Sequence, residues 1–215
     1  NDSEVLGFNV TIPFKELIKS KLDVLEGDAK KIGAVNCVSR LNNKWIGKNT
    51  DWIGFRKSIK KKIKKNNTKK AVVIGYGGAS KAILFCLKKL NFEKIYIYNR
   101  TEKKIDHLRG RKNFYIVGYN DLLKISEDAD IIINTTPVNI LKEKLNQKQI
   151  NNAAVFDIVY NPKNTEFLMN FKEEKRIYGI SMLVYQAAPC FENWFGVRPT
   201  IDEELYSLLE KNIKK

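Results

Sequence analysis

The 215-residue chain has no apolar run of about 18 residues, the length a membrane-spanning helix needs, and no charged-then-apolar leader. The expectation is a cytoplasmic globular protein that does not engage a membrane. It has only three cysteines, Cys37, Cys86 and Cys190, with no C-x-x-C pair among them. That spacing gives neither a disulfide framework nor a zinc site, so reduced, mostly buried thiols and no metal are expected. The one histidine, His107, falls on a polar helix and reads as a surface residue. Arginine is also scarce: 7 of the 39 basic residues are Arg and 32 are Lys. Base readout and stacking favour Arg, and the densest lysine run, 57–70, has little aromatic interleaving. With 22 Asn as well, the net charge of +15 reads as a compositional bias and not as a nucleic-acid surface, although such a field helps draw in anionic small molecules.

The apolar share, 43%, is enough for one large core or two smaller ones. A strand is predicted over 5–11, one or two short helices interrupted near Gly27 over 14–31, and strands over 34–40 and 45–48 joined by an Asn42-Asn43 turn. A helix is predicted from Asp51 to about Lys65, where the simplest role for Asp51 is a capping carboxylate. Beyond a polar turn at 66–69 the character changes. Short apolar runs at 71–75, 94–99, 114–117, 131–134 and 154–158 alternate with helical stretches, the pattern of βαβ units around a buried parallel sheet. From Ser181 the chain reads as helical, with a last helix beginning near Asp202.

The first of those runs ends in Gly75-Tyr76-Gly77-Gly78-Ala79-Ser80, a glycine cluster directly after a strand and directly before a helix. Gly75 suits the tight turn, Gly77 lets the main chain approach a pyrophosphate, and Gly78 or Ala79 allows close packing. The helix start then offers N–H groups and a positive dipole end to phosphates. The next run ends in Asn99-Arg100-Thr101, followed by Lys103 and Lys104. An NAD site usually places a carboxylate there for the ribose 2′-hydroxyl, whereas a guanidinium fork grips a 2′-phosphate. Glu102 is close, on the helix side of the turn. The cofactor expected is NADP.

Other polar residues stand in apolar settings: Asn9, Thr11 and Lys15 in Asn9-Val10-Thr11-x-Pro13-x-Lys15; Asn36 in Gly33-Ala34-Val35-Asn36; and Asn49-Thr50-Asp51. With the glycine turn, Asn99-Arg100-Thr101, Asn134-Thr135-Thr136-Pro137, Asp157-x-x-Tyr160 and Gly179-x-x-Met182-Leu183-x-x-Gln186, this ordered series resembles the shikimate dehydrogenases nearly from end to end. The resemblance implies reversible reduction of 3-dehydroshikimate to shikimate by NADPH, a step of aromatic amino-acid biosynthesis. It implies Lys15 and Asp51 as the catalytic pair, and Thr11, Asn36, Asp51, Tyr160 and Gln186 as substrate-binding residues. On the cofactor side it implies Gly75, Gly77, Gly78, Ala79, Asn99, Arg100, Thr101, Lys104 and Thr135, with Ile158 and Gly179 at the nicotinamide.

The implied fold is α/β: a Rossmann-like NADP domain with a parallel sheet over 52–178, and a smaller discontinuous α/β substrate domain. That smaller domain draws on 1–51 and on C-terminal helices in 179–215, and the whole would act as a monomer or homodimer. The chemistry asks for such equipment, because the oxygen on the carbon that gains or loses hydride must gain or lose a proton. A lysine beside a carboxylate can supply it, and which of the two holds the proton at each stage is open. The family's chains open with about fifty further residues by the resemblance, including two serines for the substrate carboxylate. A fragment truncated at its N-terminus, beginning at Asn1, is therefore expected, with a sheet edge beside 5–11 open to water. Asn139-Ile140 stands where Gly-Met is usual, and Ser181 where glycine is common. A quinate/shikimate dehydrogenase using NAD, or a catalytically silent NADP-binding protein, are the other readings.

Overall fold

The computed structural model describes residues 5–63, 69–139 and 153–213. Its elements in chain order are β1 (Gly7–Asn9), β2 (Val24–Leu25), α1 (Asp28–Ile32), β3 (Cys37–Leu41), β4 (Lys44–Lys48), α2 (Asp51–Ile59), β5 (Lys70–Ile74) and α3 (Gly78–Lys89). There follow β6 (Lys94–Tyr98), β7 (Phe114–Ile116), α4 (Tyr119–Ser126), β8 (Ile131–Asn134), β9 (Ala154–Asp157), α5 (Glu166–Met169), β10 (Arg176–Tyr178), α6 (Gly179–Phe195) and α7 (Glu203–Lys211).

The five apolar runs form strands of one parallel sheet, with a sixth strand, β10, that periodicity did not show. Its order, β10-β9-β8-β5-β6-β7, is the doubly wound 3-2-1-4-5-6 arrangement. Successive residues of a strand face opposite layers. Ala71 and Val73 therefore join Phe55, Ile83, Leu87 and Phe156 on one side, while Val72 and Ile74 join Leu122, Phe167 and Leu168 on the other. The strand order reverses between β5 and β8, which is where a crevice opens at the carboxyl ends of such a sheet.

The smaller sheet runs β1-β3-β4-β2, antiparallel except for the parallel pair β2 and β4. Its hairpin turns through Asn42 (φ 49°) and Asn43 (φ 59°), the left-handed pair a two-residue hairpin demands. β1 lies at the edge, with Leu6, Phe8, Ile12 and Phe14 exposed around it. Two expectations for this region are refined. The one or two short helices expected over 14–31 are a 3-10 turn over Leu17–Lys21 and the short α1, broken before Asp28 as expected, and the strand β2 between them was not foreseen, since Val24 and Leu25 pair with Ile46 and Gly47. The helix from Asp51 ends at Ile59, and the last residues of its expected extent, 64–65, lie outside the described residues. His107 stands on a 3-10 turn rather than a helix, exposed as expected.

Helix α6 joins the two sheets. Gly179 at its start packs on the end of β9, where a Cβ would sit 2.5 Å from the Ile158 carbonyl oxygen. Near its other end, Trp194 Nε1 donates to Val38 O of β3 at 2.9 Å. Helix α2 lies against α6 so closely that a Cβ on Gly54 would stand 2.6 Å from Met182 O and 2.8 Å from Gln186 Cβ. Among the described residues no helix is long and apolar enough to cross a membrane.

Candidate active site

Lys15 follows the turn after β1, and its main chain is tied to the small sheet, since Val35 N donates to Lys15 O at 2.8 Å. Its Nζ lies 2.8 Å from Asp51 Oδ2, with side chains only 16% and 4% exposed. Asp51 opens α2 but does not cap it, so the simple capping role does not apply: its carboxylate takes Lys15 and Asn36, while Asn49 Oδ1 accepts the Asp51 N–H at 3.1 Å. A pair this enclosed is held by geometry as well as by charge.

Asn36 is the hub. Its Nδ2 donates within reach of Thr50 Oγ1 (2.8 Å), Asp51 Oδ1 (3.1 Å) and Gln186 Oε1 (2.7 Å), and its Oδ1 accepts from Thr50 N at 2.7 Å. Two hydrogens cannot serve three acceptors at once, so one acceptor is left able to take a hydrogen from an incoming hydroxyl. Lys15, Asn36, Asp51 and Gln186 thus converge from the segments at β1, β3, α2 and α6. Thr11 and Tyr160 do not join them: both are exposed, on the turn after β1 and on the loop after β9.

The glycine turn lies directly against Lys15, because a Cβ on Gly78 would stand 2.8 Å from Lys15 Cβ. Gly75 has φ +100°, and a Cβ there would stand 2.6 Å from Thr135 Oγ1, so this glycine is required by conformation and by the β8 loop. Gly77 alone of the three faces open space, with nothing within 4 Å of a Cβ, and as the N-cap of α3 it makes no side-chain cap bond. The first N–H groups of a helix, beside open space, fit a pyrophosphate. Ala79 is half-buried behind that opening, and Thr135 Oγ1 donates to Ile74 O at 2.7 Å.

At the end of β6, Asn99 Nδ2 donates to Thr101 O at 2.8 Å, and Arg100, Thr101 and Lys104 are exposed. Glu102, the carboxylate closest to that end, is ion-paired with Arg109. Ile158 N is bonded to Asn134 O at 3.0 Å, setting Ile158 against Gly179 beside the crevice.

A family model described as Shikimate / quinate 5-dehydrogenase matches residues 57–183, and one described as Shikimate dehydrogenase substrate binding domain matches residues 1–38. The chain belongs to the shikimate dehydrogenase family. It is 37% identical to the NADP(+) shikimate dehydrogenase of Pelagibacter ubique over 215 residues, which covers 96% of this chain and 79% of that one. The shikimate dehydrogenase crystal structure from Aquifex aeolicus is similar at TM-score 0.81 and 37% identity, over 96% of this chain and 76% of that one. The Thermus thermophilus enzyme, solved in complex with NADP(H) and shikimate, is similar at TM-score 0.79 and 31% identity, over 92% and 76% of the two chains.

In this shikimate dehydrogenase chain some groups around the site have roles that the sequence did not show. Cys190 is more than an ordinary buried thiol. Its Sγ lies 3.2 Å from Thr50 Oγ1, accepts from Asn9 Nδ2 at 3.3 Å and reaches Gln186 O at 3.3 Å. Cys37 of β3 faces it as a hydrogen-bonded thiol, which lowers Cys190 to about 7 from its ordinary 9.0, with Thr50 and Asn9 acting the same way against burial. The bond to Cys190, with burial, pushes Cys37 up. The signal was the one-turn spacing from Gln186, which places Cys190 on the same helix face. Asp157, conspicuous in the sequence, serves the loop: it accepts from Asn134 Nδ2 (3.1 Å), Val159 N (3.0 Å) and Thr165 Oγ1 (2.6 Å), and burial raises its pKa.

Proposed function

We propose that this chain interconverts 3-dehydroshikimate and shikimate with NADP as the hydride partner, and that Lys15 handles the proton. The observation that carries the assignment is the position of Lys15, bonded to Asp51 and packed against Gly78 of the glycine turn at once. Residues 52–178 would hold the cofactor, with the pyrophosphate at Gly75 to Ala79 and the 2′-phosphate at Asn99, Arg100, Thr101 and Lys104. Residues 1–51 and 179–215 would hold the substrate, through Asn36, Asp51 and Gln186, with Thr11 and Tyr160 at the rim. When bound, the nicotinamide supplies or takes the hydride.

The chain's own residues do the rest. Lys15 Nζ gives a proton to the forming hydroxyl oxygen in one direction and receives it in the other. Asp51 Oδ2 fixes the ammonium, and Asn36 fixes Asp51 through the other oxygen. Asn36 and Gln186 offer a donor and an acceptor to the ring hydroxyls, so a substrate lacking one leaves a buried polar group unpaired.

The test is turnover of shikimate with NADP+ in the natural chain, followed through reduced-cofactor absorbance. Lys15→Ala should lower kcat by roughly 10²–10⁴. Unchanged turnover in that variant would remove Lys15 from the mechanism. A preference for NAD in parallel assays would favour the quinate/shikimate reading, and cofactor binding with no turnover would favour the silent one.

A further inference from the structure

Tyr76 occupies the position between Gly75 and Gly77, and its half-buried side chain reaches His107. Its hydroxyl makes a hydrogen bond of 2.9 Å with His107 Nε2, and the rings meet edge to face with centroids 5.5 Å apart. Lys81 of α3 stands over the Tyr76 ring, its Nζ 5.3 Å from the centroid, and is itself paired with Glu16. The phenol is half-buried, and burial followed by the nearby Glu16 raises its pKa against the opposing effect of Arg111. Tyr76 and His107 thus bridge two segments that no backbone pairing joins, the glycine turn and the 3-10 turn over Asp106–Leu108.

The bridge lies where a dinucleotide has to pass. Gly75 N donates to Tyr98 O at 2.8 Å, so the glycine turn springs from the carboxyl end of β6, beside Asn99, Arg100 and Thr101. A ligand with its pyrophosphate on the turn and its 2′-phosphate on Arg100 carries the intervening adenosine across that junction. Tyr76, between Gly75 and Gly77, and His107, three residues past Lys104, stand on the two sides of that junction in the chain, and their hydrogen bond joins them.

We propose that Tyr76 and His107 are cofactor-specificity residues, forming a wall for the adenosine of a nucleotide that bears a 2′-phosphate. The inference rests on the NADP reading of the glycine turn. Tyr76 supplies a π-face to adenine or ribose, and His107 fixes the angle of that ring while adding a polar ring edge on the Arg100 side. Lys81 stands over one face of the ring, so the wall is assembled before the nucleotide arrives and its ordering cost falls outside binding.

The test uses adenosine 2′,5′-bisphosphate and NADP+ as probes in titration calorimetry on the natural chain. Tyr76→Ala should raise the Kd of both about tenfold, as loss of one aromatic contact to a base does. Tyr76→Phe, which keeps the ring, should stay within about threefold. His107→Ala should weaken both probes by an intermediate factor, and its effect should vanish when Tyr76 is already alanine. Kd values within about twofold of wild type in both alanine variants overturn the wall and leave the NADP reading intact. A wild-type chain that binds neither probe overturns the NADP reading, and this inference with it.

Discussion

Lys15, Asp51 and Asn36 form the smallest unit with chemical meaning, and each owes its behaviour to the next. A lysine 16% exposed keeps one rotamer because Asp51 Oδ2 stands 2.8 Å away, and Asp51 keeps its own because Asn36 and Lys15 divide its two oxygens. Arg100 is the proposed counterpart on the cofactor side. Losing a charge-assisted bond to a 2′-phosphate costs roughly 1.5–3 kcal/mol, so Arg100→Ala should raise the KM for NADP+ about ten- to a hundredfold and barely alter that for NAD. Steady-state kinetics with the two cofactors would show it; an equal change for both would place Arg100 outside the 2′-phosphate site. Cys190 gives a pH signature. Its folded pKa, about 7, lies below its ordinary 9.0, so the thiolate is the form that folding favours. The resulting stability grows between about pH 7 and 9.0 and is lost as pH falls through about 7, while above 9.0 the raised Cys37 opposes it. Melting curves across that window should show wild type gaining on Cys190→Ala as pH rises, and parallel curves would refute the thiolate.

At the scale of elements, three glycines separate fold from function. In a helix, Gly→Ala ordinarily gains about 1 kcal/mol. At Gly54 the new methyl would meet the Met182 carbonyl at 2.6 Å, and a backbone atom cannot swing aside as a side chain does. Overpacking, at about 1–3 kcal/mol, wins. Gly54→Ala should therefore lower Tm and also raise the KM for shikimate, because the displaced α6 carries Gln186. Gly77→Ala is the opposite case: φ is −133° and the methyl meets nothing, so Tm should hold while calorimetry shows weaker NADP+ binding. Gly75, at φ +100° and against Thr135, belongs to the fold. The motif told Gly75 from Gly77, but nothing in the sequence marked Gly54, since a glycine shows its lack of a side chain and not which neighbour needs the space.

At the scale of the whole molecule, a net charge of +15 forms a field that reaches an approaching phosphate. That reach shrinks from roughly 30 Å at 0.01 M salt to about 8 Å at 0.15 M. Stopped-flow association of NADP+ should slow several-fold across that range; a rate indifferent to salt would mean the lysines are spread too evenly to steer. The strands of the parallel sheet were legible because a strand buried on both faces is a continuous apolar run, and the glycine turn because its strand, glycines and helix are contiguous. β2 and β10 were not legible, since two or three residues acquire strand geometry only by pairing with β4 and β9. The same division runs through the site. The sequence alone determined which residue types were present, down to Arg100 in place of a carboxylate, because those depend on local order. Only the tertiary structure decided that Asn36 would meet Gln186, 150 residues away, that Cys190 would stand behind Thr50, and that Tyr76 would reach His107. Contacts between distant segments are set by how helices and sheets pack, and packing is a property of the whole chain.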